Sequence, residues 1–86
     1  MNLKEAKKLK EGAIVRESWD TLAAYRGHGI VLAKKHVQVR HEAATLGGFK
    51  NERYDLTVHW FNGPRHLQRP NPEVLQNWEV KLVSAT

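Results

Sequence analysis

The cations of this sequence offer the most chemistry, because they are unevenly spread. From Arg26 to His41 no acidic residue occurs, whereas Arg26, Lys34, Lys35 and Arg40 all do. From Leu56 to Pro72 acids are again absent, and Arg65 and Arg69 are present. Acids lie between and around these runs, at Glu17 and Asp20, at Glu42, Glu52 and Asp55, and at Glu73 and Glu79. Cations grouped in this way attract phosphates, and a surface built from them binds polyanions less tightly as salt rises. Arg gives phosphate a two-pronged fit, and Arg65 and Arg69 lie among Pro64, Pro70 and Pro72, whose rings stiffen the segment. The competing reading is that a formal charge of +5 keeps a small protein soluble or meets a protein partner.

Aromatic rings add platforms on which bases can stack. Trp60 and Trp78 fall on the apolar faces of strand-like alternations and are assigned to the core. Trp19 lies in a polar stretch and Tyr25 follows it, and these two are the leading partner contacts. Phe61, on the outward face with His59, is a third. Packing over one end of the fold is the alternative for Trp19 and Tyr25. The five histidines, His28, His36, His41, His59 and His66, show no metal-ligand spacing within one element. His36 and His41 would face opposite sides of a strand. No metal and no cofactor are expected, but protonation of all five would carry the charge from +5 towards +10 near pH 5 and strengthen phosphate binding. Catalysis has little to stand on. Ser18 and Ser84 lack the glycine-framed setting of a nucleophile, Asp20 and Asp55 form no dyad, and no Gly-Lys-Thr phosphate loop occurs. The expectation is a binding protein and not an enzyme.

The elements that must hold these residues are mostly strands. Residues 3–10 are good helix formers with Leu3, Ala6 and Leu9 on one side, and Gly12 suits a cap just after them. Residues 13–16 read as a first strand, 17–28 as an irregular loop, and 30–33 as a second strand that 37–40 continue past a bend at Lys34-Lys35. Residues 42–53, interrupted by Gly47-Gly48, read as a long mobile hairpin loop. Tyr54, Leu56, Val58 and Trp60 alternate with Asp55, Thr57, His59 and Phe61, the period-two signature of a half-buried strand. Asn62-Gly63 then turns the chain. His66-Leu67-Gln68 could pair briefly at an edge. Residues 72–76 suit a helical turn capped by Asn71, with Pro72 in its first position. Residues 77–83 read as the last strand, with Trp78, Val80 and Leu82 inward, and 84–86 as a tail. Five short strands fit a small, strongly bent antiparallel barrel better than a sandwich, which needs about seven.

The runs Gly12-Ala-Ile-Val-Arg and Gly27-His-Gly-Ile-Val resemble the opening of the KOW and Tudor-type members of the Src-homology-3-like (SH3-like) barrels. Val58-His-Trp-Phe-Asn-Gly and Trp78-Glu-Val-Lys-Leu-Val are similar to short phage proteins of the same build. The resemblance covers residues 12–83. It implies a mainly β, five-stranded SH3-like barrel, preceded by a helical segment over 1–11, and a ligand groove beside the first loop.

Length and composition set the outer limits. Eighty-six residues make one domain with a small core. Cysteine is absent, so no disulfide framework or thiolate site exists, and a reducing, cytoplasmic setting is expected (the host cytoplasm if the chain is phage-encoded). No apolar run is long enough to span a membrane as a helix, and residues 1–11 lack the apolar centre of a signal peptide. Two functions remain. One is nucleic-acid association through Arg26, Lys34, Lys35, Arg40, Arg65 and Arg69, with Trp19 or Tyr25 stacking. The other is a protein-interaction module, such as a phage protein docking on a host protein or complex, or a virion assembly component. A homodimer through an edge strand is a further possibility.

Overall fold

The computed structural model describes residues 1–19, 27–41, 49–61 and 70–85, with the backbone alone for 39–41 and 49–51. The chain forms helix α1 (Leu3–Lys8) and strands β1 (Ile14–Glu17), β2 (Gly29–His41), β3 (Phe49–Trp60), β4 (Glu73–Gln76) and β5 (Val80–Ser84). A 3-10 turn over Asn77–Glu79 joins β4 to β5. The strands make one five-stranded antiparallel sheet in the order β4-β3-β2-β1-β5. The fold is thus mainly β, with five strands and a short N-terminal helix.

The alternation read in β3 sets the core. Tyr54, Leu56, Val58 and Trp60 are buried, while Asp55, Thr57 and His59 are not. Val15, Val31, Leu75 and Val80 meet them from the other four strands. Ala6 and Leu9 close over the same cluster from α1, where the three-residue spacing puts them on one side. Each large apolar side chain buried in this way contributes about 1.5–3 kcal/mol. Gly29 is the close approach that brings β2 against β3: a Cβ there would lie 2.5 Å from Val58 Cγ1 and 2.8 Å from Trp60 Cε3.

Helix α1 is too short to hold itself, and its ends are tied down. Asn2 Oδ1 accepts from the Glu5 N–H at 2.8 Å, and Glu5 Oε1 accepts from the Asn2 N–H at 3.1 Å, a reciprocal capping box. Its C-terminal cap is Leu9 and not Gly12. Gly12 lies beyond the helix at φ 91°, in the turn closed by Ala13 N–H donating to the Lys10 carbonyl.

Several other expectations are corrected. The second strand runs unbroken from Gly29 to His41, and a register shift between Val31 and Ala33 replaces the bend at Lys34-Lys35. The expected loop over 42–53 is partly strand, since β3 begins at Phe49. Residues 72–76 hold β4 and no helical turn; the helical turn comes later, over Asn77–Glu79. Asn71 caps nothing. Its Oδ1 accepts from the Trp60 N–H at 2.8 Å and its Nδ2 donates to the Trp60 carbonyl at 3.0 Å. That side chain stands in for a strand partner where Pro70 and Pro72 have no N–H to give. Trp78 is 51% exposed instead of in the core, because the 3-10 turn takes it out of the strand alternation. Leu82 is also largely exposed, since β5 is an edge strand with only Val80 buried. Strand β5 ends at Ser84, one residue into the expected tail. The segment 66–68 lies outside the described residues.

Candidate nucleic-acid interface

The basic residues are carried by the two long strands. Strand β1 pairs with β2 only at its start, opposite Gly29 and Ile30, and β4 pairs with β3 only from Asp55 to Val58. Beyond Lys35 and its partner Asp55, β2 and β3 pair with each other alone among the described residues. The register continues through His36↔Tyr54, Val37↔Arg53, Gln38↔Glu52, Val39↔Asn51 and Arg40↔Lys50 to His41↔Phe49. The result is a two-stranded ribbon standing out from the sheet. At about 3.3 Å per residue it reaches roughly 20 Å past Lys35.

The described acids on this ribbon are already matched. Glu52 Oε1 lies 2.6 Å from His36 Nε2, and the His36 ring stacks on Tyr54 with centroids 4.7 Å apart. Arg53 Nε donates to Asp55 Oδ1 at 3.0 Å. Lys34 is turned inward. Its Nζ donates to the carbonyls of Ala6, Lys7 and Leu9 at 3.0, 2.9 and 2.8 Å and lies 5.2 Å from the centre of the Tyr54 ring. A cation here meets carbonyls at the end of α1, so its chemistry is spent inside the fold. Lys35 is exposed, and Arg40 sits near the far end of β2 opposite Lys50. Arg26, Arg65 and Arg69 lie outside the described residues, as does Tyr25.

The aromatic candidates lie at the opposite end of the sheet. Trp19 follows β1 and is 54% exposed; Phe61 follows β3 and is 55% exposed, with its ring edge-on to His59 at 6.2 Å. The Phe61 N–H donates to the His28 carbonyl, just before β2 begins. From there to Arg40 is roughly 35 Å along an extended strand. The structure therefore separates Trp19 and Phe61 from Arg40, so one patch does not hold all of them. It does add Trp78 to the aromatic end. Ser18 donates through its N–H to the Glu79 carbonyl at 2.9 Å and through Oγ to the Trp78 carbonyl at 2.8 Å, which ties the neighbour of Trp19 to Trp78.

Neither family models nor curated proteins nor solved structures yield a match to this chain. The site must be judged on its own chemistry. Among the described residues no group of three or more His, Cys, Asp or Glu could hold a metal ion, and no helix is long and apolar enough to cross a membrane. A cleft of about 370 Å³ opens between α1 and β5, walled by Leu9, Ala13, Leu82 and Ala85 with Glu5 and Lys8 beside them. Among the described residues, none of the expected contacts lines it.

Lys50 and Arg53 were missed as ribbon residues because Lys50-Asn-Glu-Arg reads as polar loop. The signal that could have found them is the β-branched alternation of Val37 and Val39 across from them, which needs a partner strand of equal length.

Proposed function

We propose that the chain is a non-enzymatic binding module that associates with nucleic acid through its basic surface. The observation that carries the proposal is β2 itself. It is thirteen residues long, has no acid, and runs out beyond the rest of the sheet with Lys35 exposed and Arg40 near its end. Arg26 precedes it, and Arg65 and Arg69 form a second acid-free run. Such a surface gains affinity by releasing counterions from phosphates. The finer fold reading is an SH3-like barrel. It is supported by the strand order, in which β1 lies between β5 and β2 while β2, β3 and β4 follow as a meander, and by the irregularity in β2 where a strand could bend from one half of the barrel to the other.

The test is a fluorescence-anisotropy titration of labelled duplex DNA, single-stranded DNA and RNA at two salt concentrations. Submicromolar binding that weakens steeply with salt is the expected result, and Arg65→Ala with Arg69→Ala should lower affinity alike for all sequences. Binding that is absent or indifferent to salt would overturn the reading.

A second reading, a protein-interaction module, is favoured by the aromatic end, where Trp19, Phe61 and Trp78 are each more than half exposed. Large aromatics anchor protein interfaces. In that case Trp19→Ala abolishes capture of a protein partner while nucleic-acid affinity is negligible.

A further inference from the structure

Strand β5 ends the sheet order and pairs, among the described strands, with β1 alone. The Glu79 carbonyl faces β1 and accepts from the Ser18 N–H, whereas the Val80 carbonyl faces the other way and accepts from the Met1 amine. Backbone groups alternate sides along a strand, so Leu82, two residues beyond Val80, also directs its N–H and C=O to the outer edge. No described strand meets it there. An edge of this kind accepts a further strand unless something covers it. The register shift between Leu82 and Ser84 shortens the edge, so backbone pairing alone would be weak and side-chain contacts must supply the rest.

The cleft between α1 and β5 offers those contacts. Met1 ties the start of α1 to Val80, and beyond that tie the two elements leave about 370 Å³ between them. Leu9 and Ala13, both buried, form its apolar floor, and Leu82, 41% exposed, forms its side. Lys8 and Lys10 border it, exposed and with no ion pair among the described residues. Glu5 is the one acid that lines it, and its Oε1 is taken by the Asn2 N–H in the capping box. Glu79, just before β5, likewise has its Oε2 on the Gln76 N–H.

We propose that the outer edge of β5 takes up an extended acidic segment of a partner protein as an added strand, with an apolar side chain of that segment in the cleft and its carboxylates on Lys8 and Lys10. Strand addition draws affinity from main-chain hydrogen bonds and specificity from pockets for alternate side chains, and both are present here. The charge decides against a second copy of this chain as the occupant. Each copy carries +5, and two β5 edges side by side would gather Lys8, Lys10 and Lys81 of both copies along one seam. An acidic segment brings the opposite sign. This surface is separate from the ribbon and from the aromatic end, so the inference stands apart from the nucleic-acid reading.

The experiment titrates the full chain, at low salt, with a fluorescein-labelled peptide in which Glu alternates with Leu or Val. Two control peptides carry Lys in place of Glu, or N-methyl groups on the backbone edge that would pair with β5. The expected result is micromolar affinity for the parent peptide and a loss of roughly tenfold or more for each control. Lys8→Glu with Lys10→Glu weakens the parent peptide by a similar factor and restores binding of the Lys peptide. Lys10→Glu alone, beyond the end of α1, serves if the double variant fails to fold by circular dichroism. At saturation the Leu82 amide becomes protected from exchange, which charge attraction alone would not produce. No binding of the parent peptide at about millimolar concentration overturns the proposal. So does equal binding of the N-methylated peptide, or a Leu82 amide that exchanges as before, because the backbone edge then plays no part. Dimerisation in sedimentation that protects Leu82 without any peptide gives the edge to a second copy and overturns the acidic partner. None of these outcomes bears on nucleic-acid binding, which the anisotropy titration with DNA and RNA tests separately.

Discussion

At the scale of single residues, Lys34 shows how charge in a sequence can be misread as surface. It belongs to an acid-free run, beside Lys35, yet its ammonium is held by three carbonyls at the end of α1. A lysine suits this place because a compact ammonium on a flexible stem can meet three acceptors converging on one point. Hydrogen bonds to a charged group contribute about 1.5–3 kcal/mol, so Lys34→Met is expected to lower unfolding stability by that order, whereas Lys35→Met stays within about 0.5 kcal/mol. Urea denaturation of the two variants side by side checks it, and equal effects would remove Lys34 from its capping role. Neighbouring residues of the same type thus have separate tasks, one inside the fold and one available to a partner.

At the scale of elements, two asparagines do work that the strand ladder leaves undone. Asn71 substitutes for a strand residue beside Trp60. Asn77, itself buried, accepts from the Tyr54 N–H at 3.0 Å and donates to the Met1 carbonyl at 2.9 Å, so the 3-10 turn holds β3 and the N-terminal segment together. Asn77→Leu leaves a buried N–H of Tyr54 without its acceptor and is expected to cost about 1–3 kcal/mol, read as a lower denaturation midpoint with Met1 and α1 loosened in amide exchange. The N-terminal segment also gives a pH dependence. The Met1 amino group donates to the Val80 carbonyl at 2.6 Å, and burial pushes its pKa below its ordinary 8.0, with Glu5 opposing the shift and Lys81 adding to it. Between the lowered value and 8.0 the unfolded chain binds a proton that the folded chain gives up. Stability therefore rises with pH through that window and levels off above it. N-terminal acetylation removes the titrating group, so the difference in denaturation midpoint between the free and acetylated chains should change across this window. A constant difference would show that the amine is not perturbed by folding.

At the scale of the whole molecule, the ribbon dominates the shape. The Cα radius of gyration is 14.7 Å and the extents are 47 × 29 × 20 Å. A compact chain of this length would have a radius near 12 Å. Small-angle scattering of the monomer is expected to give the larger value and an elongated distance distribution; a globular profile would mean that the ribbon folds back on the body in solution. The same elongation keeps the exposed Trp19 and Phe61 apart from the far end of the ribbon.

Much of this was legible in the sequence because strands with one wet face write their period into the chain. The Tyr54-to-Trp60 alternation placed β3 and its four core residues; of Leu3, Ala6 and Leu9, which the spacing set on one side, Ala6 and Leu9 are buried and Leu3 is exposed. The acid-free runs and the absence of cysteine were equally local facts, whereas β4 lies where the sequence reads as a helical turn. What the sequence could not decide depends on partners distant in the chain. Whether 49–53 is loop or strand is settled by pairing with 37–41, since Lys50-Asn-Glu-Arg carries no apolar alternation of its own. Trp78 was read as core from its neighbours' alternation, but Ser18, sixty residues earlier, receives the 3-10 turn that turns it outward. Lys34 looked like surface until α1 brought its carbonyls to it. Local periodicity fixes which side of an element is apolar; only the assembled sheet determines which polar groups find partners within the fold and which are left for a ligand.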